Sequence, residues 1–123
     1  MAVEARSSER VFKTAWFAKA AGKAEIGDDE LCNAIREVMV GQADDLGGGV
    51  YKKRLKKNLY RSLILAKGGR NWVYEFLFAK SDRANIEDTQ LANLQRLAKV
   101  YGALTDRQLN ELIEGKKWME ICR

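Results

Sequence analysis

The stretch YKKRLKKNLYR, residues 51–61, carries six cations, Lys52, Lys53, Arg54, Lys56, Lys57 and Arg61, and no carboxylate. Guanidinium groups are permanently charged and grip phosphate oxygens in pairs, while lysines add mobile point charges. Such a set can hold a polyanion. On an extended strand Val50, Lys52, Arg54 and Lys56 fall on one face, and Tyr51, Lys53, Leu55 and Lys57 on the other. Arg61 opens the next strand across a tight turn, which sets it near Leu55 and Lys56. Lys80 and Arg83 close the strand after that. Three neighbouring strands can therefore gather Lys52, Arg54, Arg61 and Lys80 on one concave face. Edge charges that deter sheet-to-sheet aggregation are the plainer explanation for any single lysine. Edge protection does not require excluding every carboxylate, however, and a dense set of like charges that costs stability marks a functional site.

Charge is unevenly spread along the chain. Residues 1–50 hold 6 cations and 9 anions, residues 51–83 hold 10 and 2, and residues 84–123 hold 6 of each. A basic middle third behind an acidic first part is the footprint of a polyanion partner, not of a general adhesive tail. The 123 residues suit one domain spanning 1–123, with residues 1–10 expected to be flexible and 115–123 left undecided. Histidine is absent, which removes the commonest general base at neutral pH and the commonest zinc ligand. Cys32 and Cys122 belong to no CxxC pattern and are expected to stay unbridged, as in a reducing compartment. The first residues are polar, so no signal peptide is expected, and no apolar run approaches the ~20 residues of a membrane span. A cytoplasmic location follows as the expectation.

These residues need elements to position them. Alanine-rich TAWFAKAAGKAEI predicts a helix over Thr14–Ile26, with Val11–Lys13 either a strand or the lead into it. An acidic first turn at Asp28 opens a second helix to about Gln42, with Leu31, Cys32, Ile35, Val38 and Met39 on one face. Asp44–Gly49 is expected to be a flexible turn. Beyond it the apolar period changes to two, which predicts strands over Val50–Leu55, Leu59–Lys67 and Asn71–Ala79, antiparallel because their turns are short. In the last of these Trp72, Tyr74, Phe76 and Phe78 are expected to alternate with Val73, Leu77 and Ala79. A helix capped near Asn85 follows, with Leu91, Leu94, Leu97, Ala98 and Tyr101 inward. Thr105-Asp106-Arg107-Gln108 matches a capping box opening a short last helix. Glu114–Trp118 fits a contact edge, and the tail through Cys122 fits equally a strand on its own domain. The fold class is α+β, a small antiparallel β-sheet with two N-terminal helices and C-terminal helices packed on it.

GGGVYKKRL, LYRSLIL and WVYEFLFAKSDRANI, following two helices and an FKTAWFAK opening, resemble the RelE/HigB branch of the RelE/ParE toxin superfamily over residues 11–113. The resemblance implies a microbial-ribonuclease-like fold and the toxin half of a bacterial type II toxin–antitoxin system. It implies an endoribonuclease (an mRNA interferase) that cuts messenger RNA on the ribosome with no cofactor and no metal. It also implies a cognate antitoxin, often a helix-turn-helix protein encoded beside it. The family's Lys-x-basic pair falls on Lys52 and Arg54, its aromatic–arginine step on Tyr60-Arg61, and its closing basic segment on Lys80 and Arg83. Ser81 and Glu87 stand where some relatives carry an arginine and a tyrosine.

Metal-free cleavage uses the RNA's own 2′-OH to attack the adjacent phosphorus. Arg54 and Arg61 suit the charge of the phosphorane. Lys52, whose charged form neighbouring cations disfavour, is the candidate general base, and Lys80 or Arg83 assists the leaving group. Lys53, Lys56, Lys57, Tyr60 and Phe78 are candidate RNA-binding residues, the aromatics by stacking an unpaired base. Asp82 is expected to hold the turn or orient Arg83. A ParE-like gyrase-inhibiting toxin and a non-catalytic RNA-binding module are the alternatives on the same fold.

Overall fold

The computed structural model describes residues 9–68 and 70–123. Ten elements follow one another: β1 (Arg10–Thr14), α1 (Ala15–Lys23), α2 (Asp28–Met39), β2 (Asp44–Gly47), β3 (Val50–Leu55), β4 (Tyr60–Leu65), β5 (Asn71–Ala79), α3 (Asp88–Gly102), α4 (Asp106–Glu114) and β6 (Trp118–Ile121). The strands form one sheet in the order β2-β3-β4-β5-β1-β6, antiparallel except where β1 runs alongside β5. The architecture is the expected α+β. The flexibility expected of residues 1–10 lies outside the described residues for 1–8, and Arg10 already opens β1.

The sheet is covered on both faces, because each face carries an apolar set that only a helix layer removes from water. Against α1 and α2 it buries Val11, Leu55, Ile64, Tyr74 and Leu77 with Phe17, Leu31 and Ile35. Against α3 it buries Val50, Leu63, Leu65 and Phe78 with Leu94 and Ala98, and against α4 Phe12 and Val73 with Leu109 and Trp118. A fully buried side chain of this size contributes about 2 kcal/mol. Thr14 caps α1 by accepting from the Phe17 N–H (3.0 Å), and Thr105 and Gln108 close the expected capping box on α4.

Four expectations change. The Asp44–Gly49 turn contains a strand: β2 pairs with β3, Asp44 opposite Lys52. Its reversal needs glycine, since Gly48 and Gly49 have φ of +62° and +87° and a Cβ on Gly48 would stand 2.8 Å from Gln95. In β5 Leu63 stands opposite Phe76 but Ile64 opposite Tyr74, so Glu75 is the extra residue of a β-bulge. One inserted residue reverses the pleat. Trp72 and Tyr74 therefore face α1 and α2, while Phe76 and Phe78 face the other way. α3 begins at Asp88 with Glu87, not Asn85, at its N-cap.

The fourth change concerns the cysteines. Cys32 and Cys122 form a disulfide, Cα to Cα 5.4 Å. Sequence spacing concealed it, because the two are 90 residues apart. β6 adds to the far side of β1, which carries the chain end back to α2. The bidentate pair from Arg10 to Glu120 (2.7 and 2.8 Å) fastens the same edge. That hydrogen bonding holds the Glu120 carboxyl below the ordinary carboxylate value despite partial burial.

Two outcomes follow from this edge. Cys122→Ser should unfold at lower denaturant than the oxidised wild type, a loss of about 2–4 kcal/mol, and match it under reductant. A carboxyl with a depressed folded-state pKa stabilises above its unfolded value near 4.3 and loses that contribution as pH falls. Acid titration of the melting temperature should therefore be less steep below pH 5 in Glu120→Gln than in wild type.

Candidate functional site

α3 covers only one end of its sheet face, over Val50, Leu63 and Leu65. The same face continues past it with Lys52, Arg54 and Arg61. In the β3–β4 ladder Arg54 stands directly opposite Arg61, not Arg61 near Leu55 as the turn suggested, and Lys52 opposite Leu63. Arg61 in turn stands opposite Phe78 on β5. Directly opposed residues project to the same side. Lys52, Arg54 and Arg61 are therefore neighbours on one surface.

Arg61 is only 8% exposed, and its guanidinium donates to the carbonyls of Asn58 (3.0 Å) and Tyr60 (3.3 Å). Both anchors are neutral backbone oxygens, so the positive charge is positioned without being cancelled. Arg54 is exposed, and neither arginine has a carboxylate partner among the described residues. The Arg83 guanidinium lies over the Phe76 and Phe78 rings, 5.7 and 5.6 Å from their centroids, with Nη1 donating to Gln90 (3.1 Å). It joins the same surface. Lys80 is exposed one residue past β5, its N–H on the Leu59 carbonyl (2.8 Å).

One carboxylate does reach the cluster. β2 brings Asp44 to 3.7 Å from Lys52 Nζ, and Asn85 Oδ1 accepts from the same ammonium (3.3 Å). The expectation that nothing negative stands there fails at this point, because Asp44 arrives on a strand mistaken for a turn.

The remaining cations of the stretch lie elsewhere. Lys53 faces α2, where it pairs with Glu37 (2.8 Å) and donates to the Gln42 carbonyl (2.9 Å). Lys56 donates its ammonium to the Ala24 carbonyl and its backbone N–H to Glu30. Lys57 is exposed at the turn tip. Phe78 is 5% exposed and forms the floor beneath Arg83, with no open face for a base. Tyr60 packs partly against the α1/α2 core. Asp82 is exposed, and its carboxylate takes no hydrogen bond among the described residues; Arg83 turns to Gln90 instead.

Trp16 escaped the sequence reading. It stacks on Phe76, centroids 4.9 Å apart and planes 14° from parallel, yet remains 51% exposed. A signal was present: Phe17, Ala21 and Ala24 mark the buried side of α1 and leave Trp16 off it. A pit of about 430 Å³ lies at the opposite end of the sheet between Arg10, Arg70 and Leu109 and contains none of these residues.

The chain is thus a small α+β protein with a cationic half-face beside its sheet core. The family model described as the RelE toxin of the RelE / RelB toxin-antitoxin system matches residues 9–121, and the chain belongs to that family. No curated protein and no solved structure matches it. No helix among the described residues is long and apolar enough to cross a membrane.

The β3–β4 turn carries a further consequence. Lys56, Lys57 and Asn58 hold φ of +51°, +53° and +73° in succession, a conformation that costs residues with a Cβ about 1 kcal/mol each. Lys57→Gly should raise stability by up to about 1 kcal/mol in urea denaturation. If Lys57 also holds RNA, the same variant should bind RNA more weakly.

Proposed function

We propose that the chain is a toxin that acts as a metal-independent endoribonuclease on messenger RNA, presented by the ribosome in the cytoplasm. The observation that carries this reading is the Arg54–Arg61 pair. The two arginines are paired across the β3–β4 ladder, Arg54 exposed and Arg61 largely buried, with no carboxylate partner among the described residues and with Lys52 and Arg83 on the same face. Like charges so placed repel until an anion enters, and two guanidinium forks match the oxygens of one phosphate.

Lys52 takes the 2′-OH proton, and O2′ attacks the adjacent phosphorus. Arg54 and Arg61 hold the equatorial oxygens of the phosphorane, where such donors are worth most. The P–O5′ bond breaks and O5′ takes a proton supplied through Lys80 or Arg83. The products are a 2′,3′-cyclic phosphate and a 5′-hydroxyl. Asn85 positions Lys52 Nζ, which must enter the step as the free amine to accept the proton, and Phe78 supports Arg83. Lys57 and Tyr60 flank the RNA path, while Lys53 and Lys56, tied to the α1/α2 side, stand off it. The cognate antitoxin, an acidic or apolar segment joined to a DNA-binding helix-turn-helix, silences the toxin by covering this face.

Induction in bacteria with mapping of transcript ends tests the reading. Wild type should arrest growth and leave new 5′-hydroxyl ends. Lys52→Ala and Arg61→Ala should each lose about 100- to 10,000-fold in cleavage and restore growth. Arrest with intact messages and blocked supercoiling would assign a gyrase-directed toxin. RNA binding without cleavage products or arrest would assign a non-catalytic module.

A further inference from the structure

The aromatic surface free to meet a base is on α1, not on the strands. Trp16, Lys19, Ala20 and Lys23 recur at i, i+3, i+4 and i+7, which places them on one side of that helix. Trp16, Lys19 and Lys23 are all exposed, and the four line one shallow groove of about 260 Å³. Lys19 and Lys23 have no carboxylate partner among the described residues.

On its other side Trp16 borders a second groove of about 360 Å³, lined with Tyr60, Phe76, Asp82 and Arg83 among others. β1 pairs only with residues 71–74 of β5, so the strand edge beyond Glu75 has no neighbouring strand there. The groove runs directly into the cationic face, because its Arg83 lies over Phe78 and Phe78 stands opposite Arg61.

We propose that an RNA strand leaving the scissile phosphate crosses this groove, stacks its next unpaired base on Trp16 and Arg83, and lays its following phosphates along Lys19 and Lys23. The proposal rests on the nuclease reading and names the path its substrate takes. Stacking on aromatic and guanidinium planes with flanking cations is how single strands are held without sequence code. The free Asp82 carboxylate adds a preference for a base that offers an amino or ring N–H. An apolar side chain of a protein partner is the other possible occupant. The unpaired cations on both sides of the groove favour the polyanion.

Tryptophan emission provides the test, since Trp72 and Trp118 are 8% and 4% exposed and Trp16 is the accessible indole. The probe is a 2′-O-methyl oligoribonucleotide, which lacks the nucleophile and cannot be cut, titrated into the full chain. Emission should fall to a saturable limit, and, read by the anisotropy of a fluorescently labelled oligonucleotide, Trp16→Ala should bind about 10-fold more weakly than wild type. An abasic residue at the stacked position should weaken wild type similarly and leave Trp16→Ala unchanged. Lys19→Ala with Lys23→Ala should reduce the salt slope of log K by roughly 1.4, about 0.7 per phosphate.

If emission stays constant at saturation, or these variants bind as wild type while Arg61→Ala binds weakly, the groove is off the RNA path. The nuclease reading then survives and a protein occupant takes the groove. If the oligonucleotide quenches Trp16 as expected but wild type cuts no RNA with free 2′-OH groups, the path stands and the nuclease reading falls.

Discussion

The register of the β3–β4–β5 ladder is the constraint on which the rest depends. Its apolar end, Val50, Leu63 and Leu65, is buried beneath α3. Strand pairing has a period of two, so a slip by one residue would turn that apolar set to the opposite face. Burial therefore pins the ladder, and the pinned ladder forces Arg54 to stand opposite Arg61 although the two repel. The core stabilises an arrangement that the cations alone would abandon.

The two helix layers then sort the cations. α2 brings acidic residues that engage the basic strand side: Asp28 pairs with Lys13, Glu37 pairs with Lys53, and Glu30 accepts from the Lys56 backbone N–H. On the other face α3 stops short, and the loop before it contributes the neutral Asn85 and the cationic Arg83. One basic block becomes a tethered half and an open half. The bulge at Glu75 completes the division by turning Phe76 and Phe78 toward the open side. Glu75 itself accepts from the Tyr101 hydroxyl (2.7 Å), and burial pushes its carboxyl pKa up.

Much of this was legible from residue types. Two strands, Val50–Leu55 and Asn71–Ala79, keep their expected bounds, because alternating apolar residues flanked by turns leave little choice. The capping box at Thr105 is a local hydrogen-bond pattern and formed as expected. The cluster of Lys52, Arg54 and Arg61 follows from parity and short turns. Other features depended on contacts distant in sequence. β2 is four residues of Asp-Asp-Leu-Gly with no strand preference, and it exists because β3 offers an unpaired edge. Asp44 came with it.

What the sequence by itself determined is the four helices, the three central strands β3, β4 and β5, the fold class and the side of β3 on which each cation projects. These rest on local propensity and on periodicity, which are properties of neighbouring residues. Tertiary structure alone decided the Cys32–Cys122 bridge, the reversal of β5 at Glu75, which lysines are neutralised and the exposure of Trp16. Each depends on where two distant segments pack, and the free energy that settles such packing is summed over the whole core.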